Sequence, residues 1–185
     1  MAETSTTRTF ICIDFPDEII KETARLQSLI KKQKFVGKLT ELENLHLTLK
    51  FLGEISEEKL ERVKYSLQEI KFPIFQAHLE KTGTFSYKKQ PRIVWLKIAG
   101  RQIYELQKKI DETLSKEFPK EERFMSHLTI ARIKYVKTPE NFINHVEKLS
   151  VKKLSFQVEE FKLCSSELTR QGPVYTTLET YKLME

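Results

Sequence analysis

One tetrapeptide occurs twice in this chain, as His46-Leu47-Thr48-Leu49 and as His127-Leu128-Thr129-Ile130, 81 residues apart. The pattern of elements around the two copies repeats as well. Residues 8–14 alternate like a strand, and Pro16 opens a helix running to about Gln33, since proline suits a first helical turn. Residues 45–52 read as a strand ended by Gly53, and Ser56 caps a helix to about Lys71. Strands near 74–80 and 92–98 follow, joined by a long basic loop containing Lys88, Lys89 and Pro91. After Gly100 the order starts again, with a helix over 101–118, a strand over 126–133, and a helix opened by Thr138-Pro139 that runs to about Leu149. A last strand pair is read at 154–164 and 174–183. Each half is therefore helix, strand, helix, strand, strand. The expected fold is α+β, internally duplicated and two-lobed, with antiparallel sheets, helices on the outer faces and a central groove. One domain is expected over 1–185, with lobes at about 15–98 and 101–183.

Composition narrows the setting. Hydrophobic residues make up 39% of 185, enough for a substantial core. No apolar run approaches the roughly 20 residues of a membrane helix, and residues 1–7 are polar, without the apolar stretch of a signal peptide. That tail is expected to fray. Cys12 and Cys164 lie in apolar, strand-like runs without metal-ligand spacing, which reads as buried thiols in a reducing cytoplasm. The net charge of +6 fits a phosphate-bearing partner without identifying one.

The repeated motif carries a chemistry. Side chains alternate along a strand, so His46 and Thr48 share one face while Leu47 and Leu49 take the other; His127 and Thr129 stand likewise over Leu128 and Ile130. Two imidazoles and two hydroxyls on one groove suit in-line displacement at phosphorus. One histidine deprotonates water and the other protonates the leaving oxygen, both near neutral pH. The hydroxyls hydrogen-bond phosphate oxygens without adding negative charge. A single copy of such a motif reads more often as a hydrogen-bonded core histidine. Two copies at matching points of a repeat are a strong signal.

These motifs resemble those of the two-histidine (2H) phosphoesterases, and in particular the RNA 2′,3′-cyclic phosphodiesterases, also called 2′-5′ RNA ligases. The resemblance covers nearly the whole chain. It includes Arg8-Thr9-Phe10-Ile11-Cys12-Ile13-Asp14, the extended stretch from His46 through Lys50-Phe51-Leu52-Gly53-Glu54, and His127 through Ala131-Arg132. It implies that His46 is the proton donor and His127 the acceptor, an assignment that rests on the resemblance alone because the sequence is nearly symmetric between the two histidines. It also implies hydrolysis of a 2′,3′-cyclic phosphate at an RNA end to a 2′-phosphomonoester, with 2′-5′ ligation as the reverse reaction. Phe51 and Arg132, each five residues past a histidine, are implied to border the nucleotide, Phe51 by stacking on its base. Strict alternation would place both on the wrong face, so a bulge is required. Without one, Phe51 reads as a core aromatic and Arg132 as a surface ion pair.

Other candidates carry less. His78 and His145 read as structural and Trp95 as core. Tyr87, Lys88, Lys89 and Arg92 are a basic, aromatic loop that either follows an RNA backbone or is a solvated hairpin tip. Arg170 and Tyr175, beside the turn at Gly172-Pro173, resemble the family's final hairpin. No metal-ligand pattern and no cofactor motif is present, and the lack of a glycine-rich phosphate loop argues against an ATP-driven ligase. The expected partner is an RNA end or nucleotide bearing a cyclic phosphate. No membrane and no obligate protein partner is expected, and the chain is read as a cytoplasmic monomer. Two other readings stay open: an RNA-end-binding module with little turnover, and a phosphodiesterase acting on a small cyclic nucleotide.

Overall fold

Apolar residues at helix spacing and apolar runs of strand length resolve into four helices and nine strands in the computed structural model, which describes residues 6–170 and 172–185. The expected frayed tail at 1–7 lies mostly outside the described residues; Thr6 and Thr7 already belong to the first strand. Strand β1 spans Thr6–Asp14, helix α1 Asp17–Lys31 and strand β2 Val36–Leu39. A short 3-10 turn, Leu42–Asn44, leads into β3 at His46–Ser56. Helix α2 (Glu57–Gln68) is capped as expected, the Ser56 hydroxyl accepting from the Lys59 N–H. Strands β4 (Phe75–Tyr87) and β5 (Gln90–Ala99) precede α3 (Arg101–Thr113) and β6 (His127–Tyr135). Helix α4 (Pro139–Glu147), β7 (Ser155–Val158), β8 (Glu160–Leu168) and β9 (Pro173–Lys182) complete the chain.

The main sheet runs β7-β4-β5-β6-β3-β1-β8-β9, every neighbour antiparallel, with β2 added along β6. The two histidine strands are its centre. The sheet curls into a half-barrel, tied at one end by hydrogen bonds from Ile74 N–H to the Met184 carbonyl and from Met184 N–H to the Phe72 carbonyl. The α+β, antiparallel fold read from the sequence is the fold observed. Each side of the curl draws strands from both 15–98 and 101–183.

Helices bury one stripe each: Ile19, Leu26 and Ile30 from α1, Ile103, Leu106 and Ile110 from α3. They meet the sheet in one large core, with Leu47, Leu49, Leu128 and Ile130 inside it. A small second cluster of Phe10, Cys12 and Cys164 is packed by Tyr175. Both cysteines are buried and free, their sulfurs 3.7 Å apart.

The structure departs from the sequence expectations at four places. Gly53 does not end its strand; at φ 74° it sits in a region glycine enters without strain, and β3 continues to Ser56. The long basic loop is a two-residue turn at Lys88-Lys89 closing a long hairpin, because both lysines take positive φ (48° and 64°), a geometry usually signalled by Asn-Gly. The run 154–164 divides at Glu159, so that β7 pairs with β4 while β8 lies between β1 and β9. Helix α3 ends at Thr113, with turns continuing to Phe118. Strand β2 gave no sequence signal, being four mostly exposed residues.

Candidate active site

His46 and His127 are each the first residue of a central strand. Strands β3 and β6 pair only at Leu47 with Leu128. Beyond that point β2 occupies the edge of β6, from Leu39 opposite Ala131 to Val36 opposite Tyr135, so the two histidine strands splay apart. The antiparallel register turns each histidine toward the other motif's threonine: His46 toward Thr129, His127 toward Thr48.

Each imidazole is held by the same device. The Nδ1–H of His46 donates to the Asn44 carbonyl at 2.8 Å, and that of His127 to the Met125 carbonyl at 2.7 Å. A carbonyl can only accept, so the proton sits on Nδ1 and Nε2 is left to react. Burial holds both histidines below their ordinary pKa. The carbonyl bonds oppose this, while the positive charge of Arg132 adds to the lowering at both rings. Asp14, across the strand pair from His46, pulls that ring back upward.

A bulge follows each motif. Cys12 of β1 lies opposite Thr48 but Ile11 lies opposite Lys50, which leaves Leu49 extra. Trp95 of β5 lies opposite Thr129 but Val94 lies opposite Ala131, which leaves Ile130 extra. Two successive residues therefore turn inward in each strand, Leu49 with Lys50 and Ile130 with Ala131. The residue after them returns to the histidine face. Phe51 is consequently 67% exposed, which excludes the core-aromatic reading. Arg132 is exposed and makes no ion pair among the described residues.

His46, Thr48, Phe51, His127, Thr129 and Arg132 all line one cavity of about 980 Å³. Three aromatics, Phe10, Phe85 and Tyr175, line the cavity beside the residues expected from the motifs. Phe10 packs on His46 (ring centroids 4.8 Å apart) and Tyr175 meets the same ring edge-on at 5.1 Å; Phe85 stands edge-on to His127 at 5.2 Å. Phe10 and Phe85 have no signature beyond their place in apolar strands, and only the sheet pairing shows them reaching the groove. Trp95 is core, behind Phe85 and hard against Gly83. His78, His145 and Arg170 do not line the cavity. Among the described residues no group of three or more His, Cys, Asp or Glu side chains is arranged to hold a metal, and no helix is long and apolar enough to cross a membrane.

The family model for LigT like phosphoesterases matches residues 13–95 and again 97–175. The chain is 36% identical over 179 residues to an RNA 2′,3′-cyclic phosphodiesterase of Methanocaldococcus jannaschii, covering 94% of this chain and 99% of that one. It is 34% identical to an RNA 2′,3′-cyclic phosphodiesterase of Thermotoga maritima, covering 92% of each. Among solved structures, a protein of Thermus thermophilus superposes with a TM-score of 0.82 at 27% identity, covering 95% of this chain and 97% of that one. Escherichia coli LigT complexed with 3′-AMP superposes with a TM-score of 0.77 at 26% identity, covering 98% and 100%.

Proposed function

The chain belongs to the LigT-like phosphoesterase family, and from that premise we propose that it hydrolyses RNA 2′,3′-cyclic phosphate ends to 2′-phosphomonoesters. The observation that carries this reading is the matched pair of imidazoles on one cavity, each with Nδ1 tied to a carbonyl and Nε2 free.

In the proposed reaction His127 takes a proton from water as its oxygen bonds to phosphorus. The bond from phosphorus to the 3′ oxygen breaks, and His46 delivers a proton to that oxygen. The products are a 3′-hydroxyl and a 2′-phosphate, and proton exchange with solvent restores the pair. Thr48 and Thr129 hydrogen-bond the non-bridging oxygens, Phe51 stacks on the terminal base and Arg132 faces the anion. His46 must enter protonated although burial disfavours its charge; the anionic phosphate supplies the compensating attraction. A 5′-hydroxyl in place of water would make the same two histidines join RNA ends through a 2′-5′ bond. The enzyme is read as a monomer acting in the cytoplasm.

The test is incubation in EDTA with an oligoribonucleotide ending in a 2′,3′-cyclic phosphate, beside His46→Ala and His127→Ala. A 2′-phosphate product, with kcat/KM lowered at least about 100-fold in each variant, is expected from paired acid/base catalysis. Loss of activity in EDTA with rescue by a divalent ion would overturn the mechanism. Tight binding of the RNA end without turnover would make the chain a binding module.

A further inference from the structure

The charges of this chain are unevenly placed. Residues 23–40, 81–104 and 123–139 hold fifteen of the 32 Lys and Arg and none of the 26 Asp and Glu. The fold brings strands from all three stretches together: β2 pairs with β6, β6 with β5, and β5 with the distal part of β4. At the hairpin end the contacts are direct. The Gln90 side chain bonds both the N–H and the carbonyl of Val136, at 3.1 and 3.2 Å, and the Arg92 guanidinium donates to the Lys134 carbonyl at 2.7 Å.

The resulting surface alternates cations with exposed rings. Tyr87 is 61% and Tyr135 54% exposed, and Lys88, Lys89, Arg92 and Lys134 are exposed around them. None of these four cations has a carboxylate partner among the described residues. Cations on the helices are typically paired, as Arg62 is with Glu58 and Glu117, and Arg101 with Glu105. The turn adds a second oddity, since two successive lysines hold positive φ where a primed turn favours Asn-Gly. Such strain persists where something other than local stability selects the residues. Finally, the surface is continuous with the groove: Arg132 lines the cavity, and Lys134 is an extra residue in the pairing of β6 with β2, so that Tyr135, three residues and about 10 Å further along, returns to the exposed face that carries Arg132.

We propose that this surface is a docking strip for the single-stranded RNA leading to the cyclic end, making oligoribonucleotides better substrates than free cyclic mononucleotides. Unpaired cations following a phosphate backbone, with rings on which bases stack, are the elements of sequence-tolerant single-strand binding. The inference rests on the proposed hydrolase reading for the chemistry at the end of the strand, but the strip binds RNA in its own right.

The experiment compares kcat/KM for a uridine decanucleotide ending in a 2′,3′-cyclic phosphate with that for 2′,3′-cyclic UMP. The proteins are wild type, the double variant Lys88→Asn/Lys89→Gly, and the double variant Lys134→Ala/Tyr135→Ala. The first variant removes two charges while giving the turn the residues it favours, so misfolding does not explain a loss. Wild type is expected to prefer the decanucleotide, and each variant to lower the oligomer-to-mononucleotide ratio about tenfold. For the lysine variant, the slope of log affinity against log salt should shrink by about 1.4, at roughly 0.7 per phosphate contact. Fluorescence anisotropy with the unreactive 2′-phosphate decanucleotide reads the strip without turnover. Wild-type preference near unity, or variants that leave both the ratio and the anisotropy unchanged, would overturn the strip. Wild-type inactivity on both substrates, with strip-dependent anisotropy, would instead overturn the hydrolase reading alone.

Discussion

The ring of Phe10 lies 4.8 Å from that of His46, tilted by 35°. With Tyr175 edge-on to the same imidazole and Phe85 edge-on to His127, aromatic carbon stands where water would otherwise solvate a charged ring. Burial is accordingly the leading cause of the lowered pKa at both histidines. A histidine whose folded pKa is depressed stabilises the fold fully above its unfolded value of 6.5 and loses that contribution as pH falls through the folded pKa. The melting temperature is therefore expected to drop as pH is lowered below 6.5. The drop should be smaller in His46→Gln/His127→Gln, where no imidazole is left to charge. Identical curves for wild type and the double variant would contradict the burial argument.

The same depression places the activity optimum. A pair in which one ring is protonated and the other neutral is most populated midway between the two macroscopic pKa values. With both rings below 6.5, the kcat/KM profile should be a bell centred on the acid side of 6.5. The kcat profile should lie at higher pH, because bound phosphate favours the imidazolium. A kcat/KM maximum above pH 7.5 would mean that the rings are not held as the geometry indicates.

Phe51 separates stability from function. Its ring is mostly exposed on the groove, so Phe51→Ala should leave the melting temperature nearly unchanged. If the ring stacks on the terminal base, KM for a cyclic mononucleotide should rise about fivefold or more, since such stacking contributes about 1–3 kcal/mol. A variant that melts early with unchanged KM would make Phe51 a packing residue.

The legibility of this chain follows from how far each signal travels along the sequence. Helix starts are local, and Ser56 and Pro139 marked theirs because capping chemistry is settled within one turn. The repeated H-x-T motif was legible for another reason: alternation fixes which side chains share a face, whatever the partners. The position of Phe51 and Arg132 was only conditionally legible. Their reach into the groove depends on bulges after Thr48 and Thr129, and a bulge is a property of the pairing between two strands, invisible in either one. The division of 154–164 at Glu159 and the addition of β2 to β6 are likewise decided by which edge is free. Lys88-Lys89 hid a tight turn because the residues that usually announce one are absent.

Lys50 is the second inward residue of the first bulge, and its side chain ends in the interior beside Asp111 of α3. The Lys50 ammonium also donates to the Pro119 carbonyl at 2.7 Å. Asp111 accepts from Gln107 at 2.7 Å and from the Glu121 N–H at 3.0 Å. Burial pushes the Asp111 carboxyl up, but these partners together hold it below its ordinary value. The cluster thus fastens the segment leading to His127 onto the back of the His46 strand. Asp111→Ala strands a buried ammonium and should cost about 3–5 kcal/mol in denaturant unfolding. Lys50→Met should cost less, because the carboxylate keeps two donors and the methionine fills the lysine's path. Replacing both, as Lys50→Met/Asp111→Leu, should recover much of the single-variant loss, since no lone charge remains. The pair's contribution is present above about pH 3.8, the ordinary value for aspartate, and fades as acid protonates Asp111. If Lys50→Met proves the more damaging single change, the cluster is held by the lysine's contact with Pro119 rather than by its charge pairing. The connection between the two histidine strands would then run through the loop instead of through α3.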